Sequence, residues 1–370
     1  MLERRTFIKN CLGAAGGLAL SVSSFAAPPI PQIPKGPAGI VLSPPTTGQP
    51  ILDGSVRKGV FMDTGTGRPE SGMFGNVRRY ADGSPRYHEG IDIGPEHPWD
   101  RQSDPPDIVR AVAEGLVVYV NRHAYNESLY GNYVVMAHRV PGFGEVYTLY
   151  AHLRVFARGL KAGIYLRSGS PLGIMGHTPD FPLARAHVHF EIGVRMSPYY
   201  PMIDPQHGIW NGANLYGINP CHAFAAQREK GIFDIAAYLG SRSAAFETVL
   251  PARILPNGRR ILPCTHCGHS EYLLRATLPR NANRYAVAFS NEGIPLGLRA
   301  VANDAPIGQI LSWDEDLIQQ GRPFVKRGRL TERGLTLLEN LTVAPSNPPR
   351  TEARMGEVGY QEYGHAYTSC

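Results

Sequence analysis

The sequence predicts a mainly β protein with a smaller α+β region toward its C-terminal end. Three observations carry that prediction. The 370 residues include 41 glycines and 32 prolines, enough to punctuate the chain with turns. Helical periodicity is scarce before residue 222, and short runs alternating apolar and polar residues recur up to that point. With 43% hydrophobic residues, a chain of this length supports two compact domains.

The first element is Glu3-Arg4-Arg5-Thr6-Phe7-Ile8-Lys9, followed by an apolar run rich in Ala, Gly and Leu. A twin-Arg pair, Phe two residues later and then Lys resembles a bacterial twin-arginine export signal. The run is roughly 17 residues, interrupted by Gly and Ser, and short of the ~20 a membrane span needs. Ser24-Phe25-Ala26 fits a small-x-small cleavage site, so residues 1–26 read as a removable signal. An uncleaved N-terminal anchor is the alternative. Cys11 lacks small residues before it and fits a lipid anchor poorly. Such a signal implies a periplasmic or secreted protein with no stable membrane span after processing. Its removal takes away three basic residues and one acidic residue, lowering the formal net charge from +6 to +4. No run of five basic residues occurs, which argues against nucleic acid as a partner. Residues 27–50 are crowded with proline and read as an extended tether.

Two short motifs follow. In His187-Val188-His189-Phe190-Glu191-Ile192, polar and apolar residues alternate strictly. On a strand, His187, His189 and Glu191 would share one face while Val188, Phe190 and Ile192 enter the core. His88-Glu-Gly-Ile-Asp92-Ile-Gly94 alternates too, and its flanking glycines indicate a tight backbone rather than a long helix. Catalytic zinc usually takes three ligands from His and Asp/Glu and keeps a fourth position for water. These two motifs, with His152 between them, supply such groups. Among thirteen histidines, any single one is more often a surface or satisfied core residue. The surrounding order gives the motifs their weight.

From residue 51 to 220 the segments resemble, in order, lysostaphin/LytM-type zinc metallopeptidases. Ser71–Gly75 is similar to that family's opening strand and turn, and His88–Gly94 to its first metal motif. Ile108–Val118 resembles paired strands on either side of a turn. Tyr130–His138 and Tyr147–Leu153 resemble the next two strands. Pro171–Gly176, His187–Glu191 and Asn219-Pro220 complete the set. The resemblance covers about half the chain. It implies an antiparallel β-sheet domain of the duplicated hybrid motif type over 51–222, with one Zn2+ per chain. Carried over by position, it makes His88, Asp92 and His189 the metal ligands and His152 and His187 the catalytic histidines, with either able to be base or acid. Glu191 has two readings: a partner to a ligating imidazole, or an exposed carboxylate at a strand end. The stretch His177–Ala186 departs from the short Gly/Ser/Thr-rich turn common in the family. That departure bears on substrate preference more than on chemistry.

The resemblance and the export signal together imply an exported zinc endopeptidase. It would hydrolyse peptide bonds in peptidoglycan stem peptides or cross-bridges. Three alternatives stand beside it. One is a non-catalytic module that binds peptidoglycan or activates an amidase, which the intact five-residue set argues against. Another is a metallopeptidase acting on secreted proteins or Gly-rich peptides. A carrier domain of similar fold is the third, and it has no reason to gather His88, Asp92 and His189.

Beyond residue 222, Ala223–Leu239 reads as a helical connector (223–244) with Gly231 as its weak point. Residues 245–345 form an α+β region of unknown role. Tyr272–Leu278 and Arg284–Ser290 look like strands. Ser312-Trp-Asp-Glu315 has capping-box spacing for a helix through Gln320, and Leu330–Leu341 reads as a second helix. Residues 346–370 read as a loose tail. Cys264-Thr-His-Cys267-Gly-His269 admits a disulfide, a metal site or free thiols. An oxidising destination favours the disulfide, and a structural zinc site would need a second ligand cluster.

Overall fold

The computed structural model describes residues 39–47, 60–63, 68–79, 85–97, 106–123, 129–179, 185–204, 208–255, 257–258, 260–274, 278–279, 281–319 and 322–342. The expected export signal, the rest of the expected tether and the expected tail lie outside these. The described residues belong to one compact unit. None of their helices is long and apolar enough to cross a membrane.

A 3-10 helix at Pro69–Gly72 leads into β1 (Val77–Arg79), β2 (Pro85–Tyr87) and β3 (Ile91–Ile93). Next come β4 (Ile108–Arg110), β5 (Gly115–Asn121), β6 (Tyr133–Val140), β7 (Gly144–Ala151) and β8 (Leu153–Phe156). β9 (Tyr165–Leu166), β10 (Pro171–Met175), β11 (Val188–Arg195), the short α1 (Tyr200–Ile203) and β12 (Leu215–Ile218) finish this part. The main antiparallel sheet runs β12-β11-β7-β6-β5-β9, and β3 pairs with the N-terminal end of β11. A second sheet runs β4-β10-β8.

β6, β7 and β11 are rich in Val, Tyr and Ile, which suit a pleated buried surface. One face carries Val134, Met136, Tyr150, Phe190 and Ile192 into a core that runs continuously to Leu341. The opposite face packs Tyr133, Val135, Tyr147 and Leu149 against Ile209, Trp210 and Leu215. Both faces are covered, so the alternation that marks β11 in the sequence does not become half-exposure. Even Glu191 is fully buried.

The chain continues through α2 (Pro220–Lys230), α3 (Ile235–Gly240), β13 (Phe246–Pro251), β14 (Arg253–Ile254), β15 (Arg260–Ile261) and α4 (Ser270–Leu273). It ends with β16 (Arg284–Phe289), β17 (Pro295–Ala300), β18 (Ile310–Trp313), α5 (Glu315–Gln319), β19 (Val325–Lys326), β20 (Arg329–Leu330) and α6 (Glu332–Thr342). A four-stranded antiparallel sheet, β17-β16-β13-β18, organises this region. Its Phe246, Val287, Phe289, Phe324 and Leu337 belong to the same buried cluster as the main sheet.

Several local expectations change. Residues 39–47 are docked rather than tethered: Ile40 bridges Phe233, and Leu42 exchanges hydrogen bonds with the Gln227 amide. The expected strand at Ser71 is the 3-10 helix, while the turn stands, with Gly75 at φ +82°. β4 and β5 do not pair with each other; they join different sheets, with Ala111–Ala113 buried between them. The connector is two helices, because Gly231 takes a left-handed φ of +74° and ends α2. Tyr272 and Leu273 are helical, not extended: the Tyr272 and Leu273 amides both donate to His269 O. Ser312 lies in β18 opposite Glu247, so Asp314 caps α5 instead, accepting from the Leu317 amide at 3.0 Å.

Candidate metal centre and catalytic site

Strand register assembles the site. Asp92 of β3 lies directly opposite His189 of β11, and His189 lies opposite Ala151, the last residue of β7. Cross-strand partners share a face, so Asp92 and His189 meet side by side. The chain leaves β7 at His152, which adopts φ +66° and turns out of the strand beside them. His187 stands two residues before His189 and bridges Gly176. His88 reaches in from the loop before β3, where its backbone bonds Asn76 and Gly75.

That loop comes close to β11. A Cβ on Gly90 would lie 2.3 Å from Phe190 O and 3.0 Å from His189 Cε1, so only glycine fits without displacement.

His88 Nε2, Asp92 Oδ1 and His189 Nδ1 form a triangle, with separations of 3.0 Å between the imidazoles and 3.0 and 2.9 Å to the carboxylate. Among the described residues this is the one group of three His, Cys, Asp or Glu able to hold a metal ion, and all three are buried. The outer contacts test the fit. His88 Nδ1–H donates to Met73 O at 2.8 Å, and His189 Nε2–H donates to Glu191 Oε1 at 2.9 Å. Their inner nitrogens therefore turn lone pairs toward an acceptor-only carboxylate oxygen. Three such atoms in contact require a cation or a shared proton between them. The spacing is near the ~3.3 Å edge of a tetrahedron with ~2.0 Å bonds, so the residues fit a zinc ion.

Electrostatics agree. Burial disfavours the Asp92 anion, but His88, His187 and His189 more than offset it and hold the carboxyl well below its usual value. Burial opposes the His189 cation as well, yet Asp92 and Glu191 raise its pKa to about 9. Without a metal, a proton supplies the charge the triangle needs. The other Asp92 oxygen is ion-paired with Arg78, whose guanidinium also donates to Ser71 O at 2.7 Å.

Glu191 is no exposed strand-end carboxylate. It accepts from Tyr130 and Tyr147 hydroxyls at 2.7 and 2.8 Å as well as from His189. Burial raises its pKa, but these donors bring it below its ordinary value. Such a partner fixes the tautomer and the ring of a ligating histidine.

His152 and His187 stand next to the triangle, their ring centroids 4.5 Å apart. Each commits Nδ1–H to a carbonyl: His152 to Thr178 O at 2.7 Å and His187 to Arg185 O at 3.0 Å. His187 Nε2 lies 3.9 Å from Asp92 Oδ1. Burial lowers both pKa values, that of His152 further because His187 and His189 add to it. Both rings are therefore neutral near pH 7, with a lone pair on Nε2.

Residues 86–201 match Peptidase family M23. The matched segment holds all five of these residues, the His-Asp-His group among them. No curated protein matches the chain. Solved structures similar to it include a zinc-containing peptidase from Vibrio cholerae, 25% identical over 31% of this chain and 30% of that one, with a TM-score of 0.23. The catalytic domain of lysostaphin from Staphylococcus simulans is 21% identical over 33% of this chain and 76% of that one, at 0.24. The catalytic domain of EnpA from Enterococcus faecalis is 19% identical over 32% and 77%, at 0.23. The chain thus spans under a third of the length of the Vibrio protein.

All five residues singled out in the sequence come together. Arg78, Tyr130, Tyr147 and Thr178 were not singled out. The two tyrosines sit in segments that the resemblance covers, but nothing local says that they converge on Glu191. Among the described residues, no metal group gathers at the cysteines. Cys221, Cys264 and Cys267 are buried free thiols, and Cys264 hydrogen-bonds Cys267.

Proposed function

We propose that the chain is an exported zinc endopeptidase that hydrolyses peptide bonds in peptidoglycan stem peptides or cross-bridges. The convergence of His88 Nε2, Asp92 Oδ1 and His189 Nδ1, with both outer imidazole nitrogens already committed elsewhere, is the observation that carries this reading. In it these three residues hold one Zn2+. Zinc held there supplies a Lewis acid for the scissile carbonyl and a water of lowered pKa. His152 and His187, neutral through burial, accept a proton from the attacking water and return it to the leaving amine. Arg78 is ion-paired with Asp92, and Glu191 holds the His189 ring in place. Export rests on the Arg4-Arg5 signal, which places the enzyme in the periplasm or outside the cell, where its substrate lies.

The test is digestion of purified sacculi by the zinc-loaded protein and by His187→Ala, with products read by mass spectrometry. Wild type should release cut peptide stems or bridges, and the variant should lose at least ~100-fold in rate. A variant as fast as wild type would remove His187 from the chemistry. A zinc-loaded wild type that cuts nothing would leave a wall-binding module as the better reading.

A further inference from the structure

A cavity of about 540 Å³ is lined in part by Glu89, Tyr216, Arg322 and Arg333. Within that lining, Arg322 bears directly on the loop that carries His88. It is 5% exposed, in the segment before β19, and its guanidinium meets both chain neighbours of that ligand. Nη2 lies 3.0 Å from Glu89 Oε1, and the guanidinium lies 5.6 Å from the Tyr87 ring centroid. Tyr216 of β12 completes the contact: its ring centroid is 4.6 Å away, and its hydroxyl hydrogen-bonds the guanidinium. The cation is itself held in place. Its amide donates to Asn291 O at 3.0 Å, and its carbonyl accepts from the Phe324 amide at 2.8 Å. Phe324 is buried and stacks on Tyr216, ring centroids 6.1 Å apart.

Burial makes this a clamp rather than a surface pair. A cation so enclosed is costly without its counter-charge, so Glu89 and Arg322 stay together. A guanidinium within about 6 Å of an aromatic centroid is drawn to the ring. Tyr87, which also meets Phe74 edge-on at 5.7 Å, is thereby bounded too. The hydrogen bonds of His88 itself go elsewhere. Its backbone bonds Asn76 and Gly75, and its Nδ1–H donates to Met73 O. Those bonds set the ring against the preceding loop and leave the side chains on either side of it to other partners. His88 Nε2 must nevertheless arrive 3.0 Å from both Asp92 Oδ1 and His189 Nδ1.

We infer that Arg322 is a positioning residue for the metal group: through Glu89 and Tyr87 it fixes the loop that presents His88 Nε2 to Asp92 and His189. The inference rests on the peptidase reading above for the metal that this group holds. Arg322 and Tyr216 fall outside the segment that matches Peptidase family M23. The C-terminal region, whose role the sequence leaves open, is therefore part of what shapes the metal group.

Two measurements on the whole chain test it. Chelator competition reads zinc affinity, and amide hydrogen exchange of the metal-free protein reads the loop itself at Gly75 and His88. Glu89→Gln and Arg322→Met should each weaken zinc at least about tenfold, the scale for residues that orient a ligand. Both should speed exchange at Gly75 and His88 about tenfold more than at Val135 in β6. The double variant should stay within about threefold of the weaker-binding single variant, because both remove one contact. Arg322→Lys keeps the charge facing Glu89 and should recover zinc to within about threefold of wild type. Val287→Ala, buried in β16, is the control: it should lower the urea midpoint and leave zinc affinity unchanged. Should Arg322→Met fail to fold, Glu89→Gln, at a partly exposed position, carries the test. Wild-type zinc affinity and exchange in Glu89→Gln overturn the inference. An equal zinc loss in Val287→Ala overturns it as well, since stability would then be the cause, and so does a failure of Arg322→Lys to recover zinc. A wild type that binds no zinc counts against the peptidase reading, and the exchange comparison then decides the clamp alone.

Discussion

Gly90→Ala adds one methyl group where β3's loop meets β11. The new Cβ would sit 2.3 Å from Phe190 O, 2.9 Å from Glu191 Cγ and 3.0 Å from His189 Cε1. Phe190 O is backbone in a strand paired on both edges, so it cannot swing aside. Relief to an ordinary contact needs a movement of about 1 Å, taken up by the loop and β3. That movement separates Asp92 from His189, now 2.9 Å apart at their facing atoms. Zinc ligand distances tolerate only about ±0.2 Å. The substitution should therefore cost about 1–3 kcal/mol in stability, as overpacked sites do. It should also weaken zinc at least tenfold. Urea denaturation of the metal-free protein reads the first effect, and competition with a chromophoric chelator reads the second. If Gly90→Ala unfolds at the wild-type midpoint and holds zinc as tightly, the close approach does not set the metal geometry.

Glu191→Gln should weaken zinc about 10–100-fold with little change in the rest of the fold, because the amide cannot accept from His189, Tyr130 and Tyr147 at once; unchanged affinity in the same competition would exclude Glu191 from orienting His189. Stability of the metal-free protein should fall as pH drops from about 6.5 to 4. His138 and His269 are buried neutral, and burial lowers each to a pKa of about 4, so the unfolded chain takes up protons in that window that the folded chain refuses. Each contributes a loss of up to about 3 kcal/mol by pH 4, and a urea midpoint equal at pH 7.5 and 4.5 would contradict it. Cys264 and Cys267, buried as thiols, should be alkylated without reductant only after unfolding; failure to label them in denaturant would mean they are joined.

Part of the site was legible in the sequence because Asp92, His189 and Glu191 lie on strands whose alternation is written locally. His187, His189 and Glu191 are two apart, and Asp92 sits between two isoleucines that enter the core. Spacing alone can then assign a face. What could not be read were contacts between residues far apart in the chain. Arg78 reaches Asp92 from β1, and Tyr130, in the turn before β6, and Tyr147 of β7 reach Glu191, approaches that local spacing does not set. The C-terminal region was harder for a related reason. Tyr272-Leu-Leu reads as a strand by composition, yet Tyr272 packs beside Phe143 at 5.7 Å and its amide bonds the Phe143 carbonyl as well as His269 O. Tertiary packing decides that segment. Ser312 has the spacing of a cap, but pairing with β13 claims it for the sheet.

The metal-holding geometry and the cavity lined by Glu89, Tyr216, Arg322 and Arg333 are carried by different stretches of the chain. The ligand triangle depends on the Asp92–His189 pairing, and a one-residue slip of β3 would turn Asp92 to the opposite face. That register is fixed inside the matched segment, by Ile91 and Ile93 entering the core and by the space Gly90 leaves. The cavity wall depends instead on Arg322, Arg333 and Tyr216, beyond the segment. The two meet at Glu89, one residue after His88, through its ion pair with Arg322. Substitutions at the cavity rim should therefore leave the metal group intact. Substitutions at Glu89 or Arg322 should disturb the metal group as well as the cavity, because their ion pair braces the loop carrying His88.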